Sequence, residues 1–399
     1  MPSSFPWSRQ QARRFFPGLS LYYAAENIWR VVLLWQVLTL THSPWWMAVS
    51  VAADMLPVLL VGIWGPHRGG GRTLSGLAAW QAGAMLGGAV FGGHNAIVLV
   101  VLAAFNGWWS ARVVPSAQAL LMRSTPPGDL SRASARYELA SRIGILVGPA
   151  LGGLSLTAMP VGVILGGLAV LFIAAQGLWR SMSDETLIAP AGMNGGGFKE
   201  FGQTLKIVTR DPFLGMALSV RGLTNLLWPA FTLAVPLLSL DVWHVGSAGY
   251  GVLRSVWGLS TVIATLWIVP LFVRRLQNAY FISWMISGIG FFAIALSPTY
   301  AWALAADAVG AVGGPLVHVA LDTHIGRHVD PVLQGRVFAF QQFIMSTLAM
   351  AGLGLISVSL KNFPPTAVLA AAGSLMIVAS SLGLWMWRRS TIAGKSHCA

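Results

Sequence analysis

The chain has 399 residues, of which 55% are hydrophobic and 9% charged, with a formal net charge of +13. A soluble domain carries about 25% charged residues, so this composition, with a mean hydropathy of +0.69, excludes an ordinary soluble protein and indicates an integral membrane protein. The excess of base does not indicate nucleic acid. It falls in alternate loops, at Arg13 and Arg14, Arg68 and Arg72, Arg132 and Arg136, Arg180 to Arg210, Arg274 and Arg275, Arg327 and Arg336, and Arg388 and Arg389, while the loops near His42, His94, Pro160, Asp241 and Pro298 have none. That is the pattern of positive cytoplasmic loops.

Read in chain order, the apolar runs predict spans at 16–40, 45–64, 73–92, 96–121, 138–157, 161–179, 213–239, 249–273, 279–297, 301–324, 336–359 and 365–387. The expected fold class is therefore an all-α membrane protein with twelve transmembrane helices, multi-pass in a bacterial-type inner membrane, with both termini cytoplasmic. No secretory leader is expected. The lone cysteine, Cys398, allows no disulfide within the chain.

The first span holds a polar stripe. Tyr23, Glu26, Asn27, Arg30 and Leu34 fall at i, i+3, i+4, i+7 and i+11, one face of a helix. Charges at that depth are costly and are kept for a use. The seventh span repeats the spacing with Arg221, Thr224, Asn225, Trp228 and Thr232, so that Asn27 and Asn225 coincide at an offset of 198. Residues 180–212, with Pro190 and Gly195, read as a cytoplasmic linker ending in a short interfacial helix near Phe198 to Val208. The predicted organisation is an N-terminal six-helix bundle over 1–179, this linker, and a C-terminal six-helix bundle with a tail over 213–399. The two bundles read as pseudo-repeats, which is typical of transporters.

The fifth span carries Ser141-Arg-Ile-Gly144-Ile-Leu-Val-Gly148-Pro149-Ala-Leu-Gly152-Gly153. This resembles the antiporter motif of the major facilitator superfamily, with Ala135 in place of its first glycine. The six-plus-six layout also resembles that superfamily, and is most similar to its bacterial drug and siderophore exporter branches. Glycines let helices approach closely and Pro149 breaks a backbone hydrogen bond. The loop between spans two and three, Gly62-Ile-Trp-Gly-Pro66-His-Arg68-Gly-Gly-Gly-Arg72, keeps the superfamily's glycines and basic residues but lacks its acid. The resemblance assigns a gating role to Gly62, Arg68, Arg72, Gly144, Gly148, Pro149, Gly152 and Gly153. The superfamily's arginine in span four is absent, and Asn106-Gly107 stand where it would be expected.

No nucleophilic triad or phosphate-binding loop is present in the sequence, so no enzyme activity and no cofactor are expected. Transport would be driven by an ion gradient. The resemblance places spans one, four, seven and ten around a cavity, which assigns Glu26, Asn27, Arg30, Asn106, Arg112, Arg221, Asn225 and Trp228 to the substrate path. Arg112 and Arg221 could hold an anionic group through their guanidinium forks, or Arg112 could snorkel to the inner surface. Glu26 and Asp54 are the expected proton carriers. Arg30, one turn beyond Glu26, would form an ion pair with it, which leaves Asp54, with no cation within a turn on its own helix, as the freer of the two. His318, Asp322, His324 and His328 give a weak alternative metal site.

The sequence thus predicts a monomeric exporter of a small amphipathic compound, anionic if Arg112 and Arg221 bind it, in exchange for protons, with the lipid bilayer as its other partner. Alternatives are a lipid or lysolipid flippase, a divalent-metal exporter and a non-transporting membrane sensor.

Overall fold

Apolar runs bounded by Pro, Gly and polar residues fold into helices, because a lipid-embedded backbone must satisfy its own hydrogen bonds. The computed structural model describes residues 9–64, 68–69, 71–91, 94–125, 130–180, 187–188, 197–272 and 275–396. The first six helices are α1 (Arg9–Thr41), α2 (Pro44–Trp64), α3 (Gly71–Phe91), α4 (Ala96–Ser124), α5 (Leu130–Ala158) and α6 (Val161–Arg180). Then follow α7 (Gly197–Arg210), α8 (Pro212–Leu227), α9 (Pro229–Leu237), α10 (Gly246–Ile263), α11 (Val269–Phe272), α12 (Leu276–Ala295), α13 (Tyr300–Ala311), α14 (Gly313–His328), α15 (Pro331–Asn362) and α16 (Pro365–Ser396). Against the all-α expectation, two short strands, β1 (Arg68–Gly69) and β2 (Leu187–Ile188), pair antiparallel with Arg68 opposite Ile188.

Ten helical stretches among the described residues are long and apolar enough to cross a membrane. Helix α1, 33 residues long, is outside that set. In α1 the polar residues Glu26, Asn27 and Arg30 lower the hydropathy.

Three predicted spans are broken rather than continuous, each beside a proline that cannot donate a backbone hydrogen bond. The seventh divides at Trp228, ahead of Pro229, and closes in a π-helical turn at Leu238–Val242. The eighth passes through a π-helical turn at Ala264–Ile268 next to Pro270. The tenth divides at Val312, three residues before Pro315. The short helix expected near Phe198 to Val208 is α7, longer than predicted at 14 residues. Pro66 and Gly70 of the loop between the second and third predicted spans, Pro190 and Gly195 of the expected linker, and Cys398 lie outside the described residues.

The chain forms two compact units. One comprises Met1–Ala191 with Gly246–Ser255, and the other Gly192–Val245 with Val256–Ala399. In the first, α1 packs along α5 and α6, α3 along α6 and α4, and α2 along α4. In the second, α12 packs along α16, α13 and α14, and α8 along α15 and α16. Fully buried aromatic residues fill both units: Trp29, Tyr22, Phe172 and Trp179 in the first, and Phe213, Tyr280, Phe281 and Phe291 in the second.

The glycine motif of α5 is the seam with α1. A Cβ added at Gly144 would stand 2.5 Å from Tyr23 Cβ and 2.6 Å from Ala24 N, and one at Gly148 would stand 2.7 Å from Asn27 Cβ. A Cβ at Gly152 would meet Ile28 O at 3.1 Å. Gly153 faces Ser247, whose hydroxyl donates to the Gly153 carbonyl at 3.0 Å. Gly144→Leu is therefore expected to destabilise the protein by about 1–3 kcal/mol through overpacking. Gly166→Leu, where a Cβ meets nothing within 4 Å, should leave stability nearly unchanged. Thermal unfolding in detergent checks both.

Candidate functional site

A carboxylate taken out of water must find hydrogen-bond donors. Glu26 lies in the buried part of the α1 stripe with 3% of its surface exposed. Its donors come from three helices. The Tyr22 hydroxyl, one turn earlier on α1, donates to Glu26 Oε1 at 3.2 Å. Gln81 of α3 donates from Nε2 to the same oxygen at 2.6 Å. Asn106 of α4 donates from Nδ2 to Oε1 at 3.2 Å and to Oε2 at 3.4 Å. The two amides are joined as well, Gln81 Nε2 to Asn106 Oδ1 at 3.0 Å. Gln81 and Asn106 are fully buried. The result is a carboxyl group held by neutral donors.

The ion pair differs from expectation. Arg30 does not bridge to Glu26 along α1. Its Nε reaches Asp54 Oδ2 on α2 at 3.9 Å. Helix geometry allowed the i,i+4 pair, but the three donors turn the Glu26 carboxyl into the bundle, while the Arg30 side chain stays 58% exposed. At that distance the pair is a charge contact rather than a hydrogen bond. Asp54 is thus the carboxylate with a cation beside it, which reverses the assignment made from its own helix. Its other oxygen, Oδ1, is buried with no hydrogen-bond partner among the described residues. Gly107 of α4 packs its backbone directly against the Asp54 carbonyl, where a side chain would not fit.

Asn27 is half-buried and returns its amide to Tyr23 O at 2.8 Å. In the second unit Asn225 does the same to Arg221 O at 2.8 Å. The two asparagines matched at an offset of 198 therefore make the same bond one turn back along their helices. Arg221 is buried, with 8% exposed, and its Nη2 lies 3.4 Å from His318 Nδ1. Its Nε and Nη1 have no hydrogen-bond partner among the described residues. A buried guanidinium with unused donors is suited to receive an anion.

Two further expected cavity residues pack on aromatic rings. Arg112 lies over Trp108, 4.4 Å from the ring centroid, and near Trp109 at 5.6 Å, the latter stacked on Trp80. This is a cation–π arrangement on half-exposed tryptophans. Trp228 is packed among Phe231, Trp257, Trp284 and Phe291, an aromatic core. Of the residues to which the resemblance assigns gating, Arg72 is exposed at the start of α3, Gly62 lies in α2 and Arg68 contributes its backbone to β1.

The histidines of the alternative metal site do not converge. His318 faces Arg221, whereas His324 bonds through Nε2 to Asp211 Oδ2 at 2.7 Å and stacks on His328 at 4.2 Å. Asp322 is exposed. No group of three or more His, Cys, Asp or Glu able to hold a metal occurs among the described residues. Asp211 instead caps α8, accepting from Leu214 N at 2.9 Å, and its bond to His324 ties that helix end to α14.

Tyr22 and Gln81 were not anticipated. Gln81 left a signal, as the one carboxamide in an otherwise apolar third span. Tyr22 left none, because a tyrosine in a membrane helix also serves as packing.

No family model matches the sequence, and no curated protein matches it. Solved structures do. The chain is similar to a POT family transporter in complex with a thioalcohol-conjugated peptide, at 13% identity and a TM-score of 0.72, over 96% of both chains. It is similar to the nucleoside transporter NupG, at 13% identity and a TM-score of 0.68, over 95% of this chain and 99% of that one. It is also similar to a bacterial homologue of the human lysosomal transporter Spinster, inward-facing and unoccupied, at 12% identity and a TM-score of 0.69, over 96% and 98%. These proteins have the major facilitator fold, and this chain shares it. At such identities the likeness establishes the fold alone.

Burial acts against ionisation of Asp211, but the hydrogen bond from His324, followed by those from the backbone N–H groups of Leu214 and Phe213, holds its carboxyl below the ordinary value of 3.8. A carboxylate depressed in the folded state contributes stability that is complete above its unfolded range and is lost as pH falls through the native value. Stability should therefore drop on acidification below pH 3.8, and drop less in Asp211→Asn. Asp211→Ala should cost about 1 kcal/mol at neutral pH through the lost cap. Melting curves across pH check the sign.

Proposed function

We propose that this chain is a secondary transporter of the major facilitator superfamily with twelve spans in two six-helix pseudo-repeats and both termini cytoplasmic. It exports a small amphipathic compound through an inner membrane in exchange for protons. The observation that carries this reading is the Glu26 carboxyl: buried, held by neutral donors from α1, α3 and α4, and with Arg30 engaged by Asp54 instead. Such a group can take up and release a proton without breaking a strong ion pair. Glu26 is the principal proton carrier, and the Arg30–Asp54 pair is the charge contact that responds to it. A proton crossing 100 mV supplies about 2.3 kcal/mol, enough for a modest uphill gradient. Arg221, buried with unused donors, receives an anionic substituent on the substrate. The resemblance of the α5 motif to that of exporters supports the outward direction.

A second reading, lipid export, has one observation in its favour. The second unit contains an apolar groove of 890 Å³ bounded by Val208, Met216, Leu223, Phe340, Leu348 and Leu382.

Proteoliposomes containing a pH-sensitive dye, challenged with a panel of amphipathic compounds, test the proposal. Compound-dependent proton movement is expected in the wild type. It should be lost in Glu26→Gln and reduced severalfold in Asp54→Asn. Full coupling in both variants would sink the proton assignment. Movement of acyl lipids without proton flux would favour lipid export.

A further inference from the structure

The hydrogen-bond inventory around Glu26 does not close, and the imbalance is localised to one residue. Gln81 Nε2 has two hydrogens but faces three acceptors: Glu26 Oε1 at 2.6 Å, Asn106 Oδ1 at 3.0 Å and the Tyr22 hydroxyl oxygen at 3.2 Å. Its other end, Oε1, is buried and has no hydrogen-bond partner among the described residues. Leaving a buried amide oxygen unpaired costs about 1–3 kcal/mol. The arrangement suits an ionised Glu26, which only accepts. A protonated Glu26 has one O–H to donate and needs an acceptor. Half a turn of the Gln81 amide would bring Oε1 to the position now held by Nε2, within reach of that proton.

We propose that Gln81 is the positioning residue that registers proton uptake by Glu26, by rotating its side-chain amide from donor to acceptor. This rests on the reading of Glu26 as the proton carrier. The rotation reverses the sense of the bond to Asn106, so the Asn106 amide turns with it and the bond between the two amides survives. Asn106 precedes Gly107, whose backbone lies against the Asp54 carbonyl. The amide pair thereby leads from the Glu26 carboxyl on α1 to the main chain of α2 at Asp54, with no charge passing along it. No covalent bond forms or breaks beyond the transfer of the proton itself.

The groups that act on Glu26 from the elements packed around it are few. Arg30 on α1 and Asp54 on α2 are the charges. Tyr22 and Tyr23 on α1 and Tyr137 on α5, its hydroxyl 3.1 Å from that of Tyr23, are the ionisable phenols. Helices α3 and α4 supply the amides, and α6 supplies Phe172 and Trp179 against Tyr22.

Infrared difference spectra of the full chain in lipid, acid minus alkaline, test this without any substrate. The wild type should show a carboxyl band that disappears in Glu26→Gln. It should also show a glutamine side-chain amide band, identified by ¹⁵N labelling, that titrates with the same midpoint and is lost in Glu26→Gln too. In Gln81→Met the amide band should vanish and the carboxyl band should persist, with its midpoint moved by about one pH unit, a tenfold change in proton affinity. Gln81→Leu serves for the same readings if Gln81→Met does not yield folded protein. A glutamine band that survives in Glu26→Gln, or a carboxyl midpoint unmoved in both Gln81 variants, would overturn the inference while leaving Glu26 as proton carrier. Absence of any Glu26 carboxyl band in the wild type would overturn both.

Discussion

An acidic side chain in the apolar interior of a bundle must be given donors, because no bulk water reaches it to supply them. Glu26 imposes that requirement on the first unit. Its hydrogen bonds fix the rotation of α1 about its axis, since Tyr22 and Glu26 must face α3 and α4 together. They also fix the mutual height of α3 and α4, since Gln81 and Asn106 must meet both the carboxyl and each other. The opposite side of α1 is then the side available to α5, where glycines admit it to backbone distance. The polar cluster and the glycine seam are thus two faces of one helix. One is held by directed hydrogen bonds and the other by the absence of side chains.

The second unit is organised differently. Its α8, the counterpart of α1 in the repeat reading, has a buried guanidinium in place of a carboxyl and stops at Trp228. The proline after that residue removes one backbone donor, and the chain continues as α9 with aromatic side chains from α10 and α12 packed around the break. Its beginning is fixed by Asp211, which caps α8 and accepts from His324 on α14. What the sequence presented as a cluster of histidines is in the structure a helix-end lock.

The shared feature of the units is small and specific. Asn27 and Asn225 each return their amide to the carbonyl four residues earlier, leaving the side-chain oxygen available. Around them the charges are opposite in kind: a carboxyl with neutral donors in one unit, a guanidinium with unused donors in the other.

The membrane class, the helices, the polar stripe and the glycine motif were legible from the sequence, because hydropathy, 3.6-residue spacing and small-residue runs are local properties of a chain. So was Glu26 as a costly residue. Its partners were not. The sequence offered Arg30 one turn away, the neighbour that helix geometry permits, whereas the fold brought Gln81 and Asn106 from positions 55 and 80 residues distant and gave Arg30 to Asp54. Arg112 and Trp228 showed the same limit, since the face a side chain presents depends on which helices pack beside it. The sequence by itself determined that a carboxyl would lie on a long, largely apolar helix. Only the tertiary structure decided what would hold it there, because hydrogen bonds between helices join residues with no fixed separation along the chain.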